Sequence, residues 1–135
     1  PVAGEATSPL ASQASGRRYS FRTNQQQLKA VTLTFTDHGG EAAITDHFGE
    51  HRVAFGVGAW QMGATALDSG ETHPVAASGA WTAPDAFTLQ LVFYTTPFTP
   101  HITLRFDGDK LAYQFVANAA FGRRARPRLV GRVTR

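Results

Sequence analysis

The residues that could do chemistry stand in a few short stretches. In Asp46-His-Phe-Gly-Glu-His51, two imidazoles lie four residues apart with carboxylates beside them. On a helix that spacing brings both rings to one metal, as in His-Glu-x-x-His. Here Gly49 interrupts the stretch and alternating residues flank it, so the context is strand, turn, strand. Extended, positions 47 and 51 lie roughly 13 Å apart at about 3.3 Å per residue, too far to share an ion. The stretch reads as a polar hairpin rim and no metal is expected. His38, in Asp37-His-Gly-Gly40, sits in a second turn with no evident partner. In Arg105-Phe-Asp-Gly-Asp-Lys110 two aspartates flank a glycine, as at the start of a calcium loop. Such a loop needs oxygen ligands at alternating positions over about a dozen residues and a closing Glu. No Asp or Glu follows Asp109. Asp-Gly between alternating apolar runs signals a hairpin turn instead.

Nucleophilic catalysis finds no footing. Ser-x-x-Lys sets a serine and its activating lysine on neighbouring helical turns, but three residues before Lys29 and Lys110 stand Gln26 and Asp107. A Gly-x-Ser-x-Gly elbow fails at Ser69 and Ser78, neither of which has glycine on both sides at the right spacing. With no cysteine there is no thiolate, no disulfide and no Cys-based metal site. The chain is therefore expected to be no enzyme and to need no cofactor.

The net charge is +3, but residues 123 to 135 hold six arginines and no acid. The preceding residues are mildly acidic, with seven bases against ten acids. Eleven of the thirteen bases are arginine, which suits bidentate contacts with carboxylates or phosphates. Phe121 beside the cluster could stack on a base. Nucleic-acid binders usually spread aromatic and basic residues over a sheet face, whereas this cluster occupies one loop and one terminal strand, so nucleic acid is not the expected partner.

The elements that must carry these residues follow a period of two, the strand period. Tyr19 and Phe21 alternate with polar residues, as do Val31, Leu33 and Phe35. Ala42 and Ile44 are weaker. Val53, Phe55 and Val57 follow, then Val75, Ala77, Gly79 and Trp81. Phe87, Leu89, Leu91 and Phe93 form the longest series. Ile102, Leu104 and Phe106 face Leu111, Tyr113 and Phe115 across the Asp-Gly turn, and Leu129 and Val130 begin a last strand. One helical turn is expected, from Gln25 to Leu28 behind Asn24. Many short strands joined by tight turns predict an all-β fold, an antiparallel up-and-down barrel of about eight strands, with a β-sandwich as the alternative. A barrel of eight strands is either filled by its side chains or holds one small ligand. Residues 1–16 read as a linker or ragged start and 17–135 as one barrel domain. No apolar run approaches the roughly 20 residues that span a bilayer.

From about Gly16 to Arg132 the chain resembles the C-terminal β-domain that follows the catalytic domain in some bacterial β-lactamase-related serine hydrolases: class-C-like penicillin-binding proteins, esterases and D-aminopeptidases. GRRYSFRTN, VTLTF and GVGAW carry the likeness, followed by the series from SGAW through TPF and FDGD to NAAFG and LVGR. That family's Ser-x-x-Lys, Tyr-x-Asn and late His or Lys-x-Gly belong to the preceding domain. Here Tyr19, Tyr94 and Tyr113 are followed two positions on by Phe21, Thr96 and Phe115, and His38-Gly-Gly40 is only a turn. The resemblance implies a lipocalin-like accessory barrel without catalytic residues, packed on or capping the catalytic domain of the same or parent protein, or assisting homo-oligomerisation. It also implies a periplasmic or secreted location, the cytoplasm remaining open.

Two expectations follow. In the first, the barrel docks on its hydrolase through Phe98 in TTPFTP and through Arg123, Arg124, Arg126 and Arg128. In the second, it is a stand-alone lipocalin-like barrel that binds a small hydrophobic ligand, with Trp60, Trp81, Phe93 and Tyr113 lining the interior. Placing either tryptophan inside rests on alternation, and a register slip of one residue turns it outward.

Overall fold

The computed structural model describes residues 1–67, 70–95, 98–119 and 122–134. The alternating segments form strands β1 (Arg18–Ser20), β2 (Ala30–Phe35), β3 (Gly39–Asp46), β4 (Gly49–Gly56), β5 (Gln61–Thr65) and β6 (His73–Ala83). They continue as β7 (Ala86–Val92), β8 (His101–Asp107), β9 (Lys110–Ala119), β10 (Gly122–Ala125) and β11 (Leu129–Val133), with one short helix, α1 (Ala11–Ala14). The sheet runs β9-β11-β1-β2-β3-β4-β6-β7-β8, and β8 pairs with β9 again. This is a closed barrel of nine strands, while β5 pairs with β6 and β10 with β9 beside the ring. Closure excludes the sandwich and gives every strand of the ring a partner on both sides.

Sequence neighbours are antiparallel neighbours nearly throughout, as hairpin signals require. The Asp107↔Lys110 pair closes the β8–β9 hairpin over Gly108 and Asp109. Gly108 takes φ +57°, the positive value that a mirror-image two-residue turn needs at its first central position. The motif that imitates a calcium loop is this corner. One seam departs from up-and-down order: β4 meets β6 in parallel through the single pair Gly56↔Ser78. The N-terminal residues lie along this weak seam. Glu5 bridges Trp81 through two backbone bonds of 2.9 Å, and the Val2 N–H donates to Ser78 Oγ at 3.0 Å. Ser78 and Ala80, on the outer face of β6, are buried. Residues 1–16, expected as a linker, thus rest partly on the barrel, and Ala14 of α1 joins the core.

The inward residues are the ones alternation selects. Tyr19, Val31, Leu33, Ile44, Val53, Phe55, Leu89, Leu104, Leu111 and Phe115 are all buried. Trp81 packs against Phe35, Phe87 and Phe106 with ring centroids 5.5 to 5.7 Å apart. Its Nε1–H has no hydrogen-bond partner among the described residues. The close approach of Phe87 to β6 depends on Gly79, where a Cβ would lie 2.4 Å from the Phe87 ring. Interlocked aromatic rings therefore pack one half of the barrel interior, with a cavity of about 20 Å³ beside Tyr19 and Phe106 under α1.

Candidate functional site

Strand direction sorts the loops to two ends. Residues 21–29, 47–48, 66–67, 70–72, 93–95, 98–100 and 126–128 gather at one end, the mouth; α1 and the turns 36–38, 57–60, 84–85 and 108–109 gather at the other. The aromatic cluster occupies the far half. The mouth half is looser and more polar.

The β1–β2 connection, residues 21–29, covers part of the mouth. Asn24 holds it in shape: its Oδ1 accepts from the Leu28 N–H at 3.2 Å and its Nδ2 donates to the Leu28 carbonyl at 2.8 Å. Where a helical turn was expected there is an isolated turn, with Gln27 N–H donating to the Asn24 carbonyl and Gln27 itself at φ +55°. Asn24 competes for the backbone groups a helix would use, and closes a turn with them instead. The turn drives Leu28 into the barrel, where it is buried.

Beneath Leu28 lies a cavity of about 20 Å³, lined by Leu28, Ile44, Leu67, Tyr113 and Phe115 together with Gln26, Asp46 and Arg126. That is room for one or two waters, far short of the several hundred Å³ of an ordinary small-molecule pocket. On the solvent side of Leu28 is a groove of about 360 Å³, lined by Phe21, Thr23, Asn24, Gln27, Leu28, Lys29 and His47. Leu28 is the wall the two spaces share.

Two polar side chains are set into this region. Asp46 and His51 are buried, and His51 Nε2 lies 2.8 Å from Asp46 Oδ1. Beside an ionised carboxylate, which only accepts, this nitrogen is the donor. The same Oδ1 accepts from the Phe48 N–H at 2.8 Å. The stretch Asp46–His51, expected as a polar hairpin rim, sends its first and last residues inward, while His47 and Phe48 stay exposed. No group of three metal-ligating side chains occurs among the described residues. Arg126 stands with its guanidinium carbon 4.0 Å above the Phe115 ring, and its backbone N–H donates to the Phe115 carbonyl at 2.9 Å. Gln26 ties the loop to the neighbouring chain by donating to the Pro127 carbonyl at 2.6 Å.

Of the four residues expected in the interior, Trp81, Phe93 and Tyr113 are buried. Trp60 is not: it is 39% exposed, beyond the Gly58 turn that ends the alternation of β4. Of the three, Tyr113 reaches the cavity, whereas Trp81 belongs to the packed cluster. Phe98, expected as an exposed plug, is half-buried. The β7–β8 hairpin extends to a Phe93↔Phe98 bridge, which stacks Phe98 on Phe93 at 5.7 Å and turns it toward Phe115. Arg124 and Arg128 are exposed, and Arg126 is half-buried at the cavity. Phe121 and the Arg123 side chain lie outside the described residues. Sequence reasoning missed Leu28 and Gln26 as mouth residues; the signal was a lone leucine in a polar run, NQQQLKA.

No family model matches this sequence, and no curated protein matches it. Among solved structures the chain is similar to the fatty-acid-binding protein isolated from Manduca sexta, at a TM-score of 0.61 and 14% identity, over 88% of this chain and 98% of that one. At that identity the likeness shows the fold, an all-β closed barrel. It also corrects the expectation of an accessory domain of a β-lactamase-related, penicillin-binding-protein-like serine hydrolase. Nearly the whole chain aligns with a barrel that is an entire protein elsewhere, and no hydrolase family matches. Of the series that carried that likeness, FDGD is the β8–β9 hairpin corner and SGAW lies within β6, while Thr96 and Pro97 of TPF lie outside the described residues.

Proposed function

We propose that this chain binds a small, mainly apolar molecule with an acidic group, and that it does so at the mouth of the barrel. The observation that carries this is the 360 Å³ groove formed by the 21–29 loop and His47, whose apolar wall is Phe21 and Leu28 and whose rim holds Lys29 and His47. Its volume falls within the range of small-molecule sites. The likeness to a fatty-acid-binding protein supports a carrier role and no catalysis. The packed far half of the interior favours a short occupant or one held near the surface. Leu28 is the wall through which an apolar tail would reach the cavity flanked by Tyr113 and Phe115. The role belongs to the barrel itself and calls for no catalytic domain.

The test is a titration of the isotope-labelled chain with octanoate and with octanol, followed by amide shifts. The expected result is saturable binding at one equivalent, with the largest shifts at Phe21, Leu28, Lys29 and His47. Lys29→Gln is expected to weaken octanoate about 3-fold to 10-fold and leave octanol unchanged. Shifts confined to other faces, or no saturation across a panel of short and long fatty acids, would overturn the reading.

A further inference from the structure

A second groove lies on the outer wall, back to back with the first across residues 21–24. It has a volume of about 260 Å³ and is lined by Ser20, Phe21, Arg22, Thr23 and Asn24 on one side and by Arg128, Leu129, Val130 and Arg132 on the other. Its three arginines are exposed, and none forms a side-chain hydrogen bond or ion pair among the described residues. Two arginines on other strands differ: Arg52 pairs with Glu41 and Glu50, and Arg105 with Asp85, at 2.7 to 2.8 Å.

Register explains why these cations stay uncompensated. Outward positions on β1 are Arg18 and Ser20, and on β11 Val130 and Arg132; no acid stands on either strand. Arg132 lies opposite Ser20 on one neighbour and opposite Lys110 on the other. Like charges directly opposite across strands are destabilising. The groove thus gathers three cations, one of which, Arg132, also faces Lys110 across β9. Between them lies apolar surface, with Val130 52% exposed.

We propose that this groove is a binding site for a phosphate monoester with an apolar substituent. One carboxylate satisfies one guanidinium fork. Three guanidiniums, with the Thr23 hydroxyl beside the same space, match a dianionic group with three acceptor oxygens. Phe21, Leu129 and Val130 offer the substituent its contact. The site is separate from the mouth groove and does not depend on the function proposed for it. The phosphate can come from a soluble phosphomonoester or from a lipid headgroup of the same chemistry.

The experiment titrates the chain with hexyl phosphate, inorganic phosphate and hexanol, and separately with phosphatidylcholine vesicles with and without phosphatidic acid. Hexyl phosphate is expected to bind more tightly than inorganic phosphate, and hexanol not at all, with shifts at Thr23, Arg128, Val130 and Arg132. Arg22→Gln, Arg128→Gln and Arg132→Gln are each expected to weaken it about 3-fold to 10-fold, while Arg52→Gln on the opposite wall leaves it unchanged. Arg22 and Arg128 hold no partner among the described residues, so their variants keep the wild-type melting curve, and Arg132→Gln, which relieves the repulsion from Lys110, does not lower it. Binding to phosphatidic acid vesicles with loss in the same variants assigns the headgroup as source; hexyl phosphate binding without vesicle binding assigns the soluble ester. Phosphate affinity that survives all three substitutions overturns the proposal, as does an oligonucleotide that binds more tightly than hexyl phosphate through Arg124 as well.

Discussion

Asp46 and His51 illustrate how a pair of residues can look like chemistry and act as structure. Their spacing across a turn prevents both histidines of the stretch from meeting one ion. The same turn folds residue 51 back beside residue 46, at a hydrogen-bonding distance of 2.8 Å. Inside the barrel each needs the other, because an unpaired buried polar group loses its hydration without replacement. Asp46→Ala removes the acceptor for both His51 and the Phe48 N–H. It is expected to destabilise the fold by about 2–4 kcal/mol, measured by urea unfolding. His51→Phe at the same site is expected to cost less, since it removes one polar partner and keeps the volume. Equal midpoints for Asp46→Ala and wild type would show that the pair contributes nothing.

At the scale of strands, the informative contact is the one that works against the fold. β9 and β11 run side by side with Lys110 and Arg132 directly opposite. Lys110→Glu converts that repulsion into a cross-strand ion pair without touching the groove lining. It is expected to raise stability by about 0.2–1 kcal/mol, visible as a rise of a few degrees in melting temperature at low salt that shrinks as salt is added. A lower melting temperature would mean that the two side chains already diverge into solvent. The strands themselves were legible: alternation placed Val31, Leu33, Phe87, Leu89, Ile102 and Leu111 on the buried face, where they are found. Trp60 was misplaced because it follows a turn, and periodicity does not carry through a turn whose length is unknown.

For the molecule as a whole, closure is the deciding feature, and it is least secure between β4 and β6. One parallel pair joins them, and residues 2–5 supply part of the missing backbone partners of β6. Deleting residues 1–6 is expected to speed amide exchange at Trp81 by at least 10-fold while exchange in β1 and β11, on the far wall, stays as it was. Uniform acceleration would mean that the segment supports global stability and not the seam. The arrangement also explains why Ser78 and Ala80, outward by alternation, are buried.

The sequence by itself determined the strand period, most of the inward set of apolar residues and the Asp-Gly corner, because each depends on residues close together in the chain. Only the tertiary structure decided which end of the barrel is tightly packed and which is grooved. It alone also showed that Leu28 divides a cavity from a cleft, and that Arg22, Arg128 and Arg132 share one space. Those facts depend on residues about a hundred positions apart meeting when β11 closes the ring between β9 and β1, and no local pattern encodes the register of that closure.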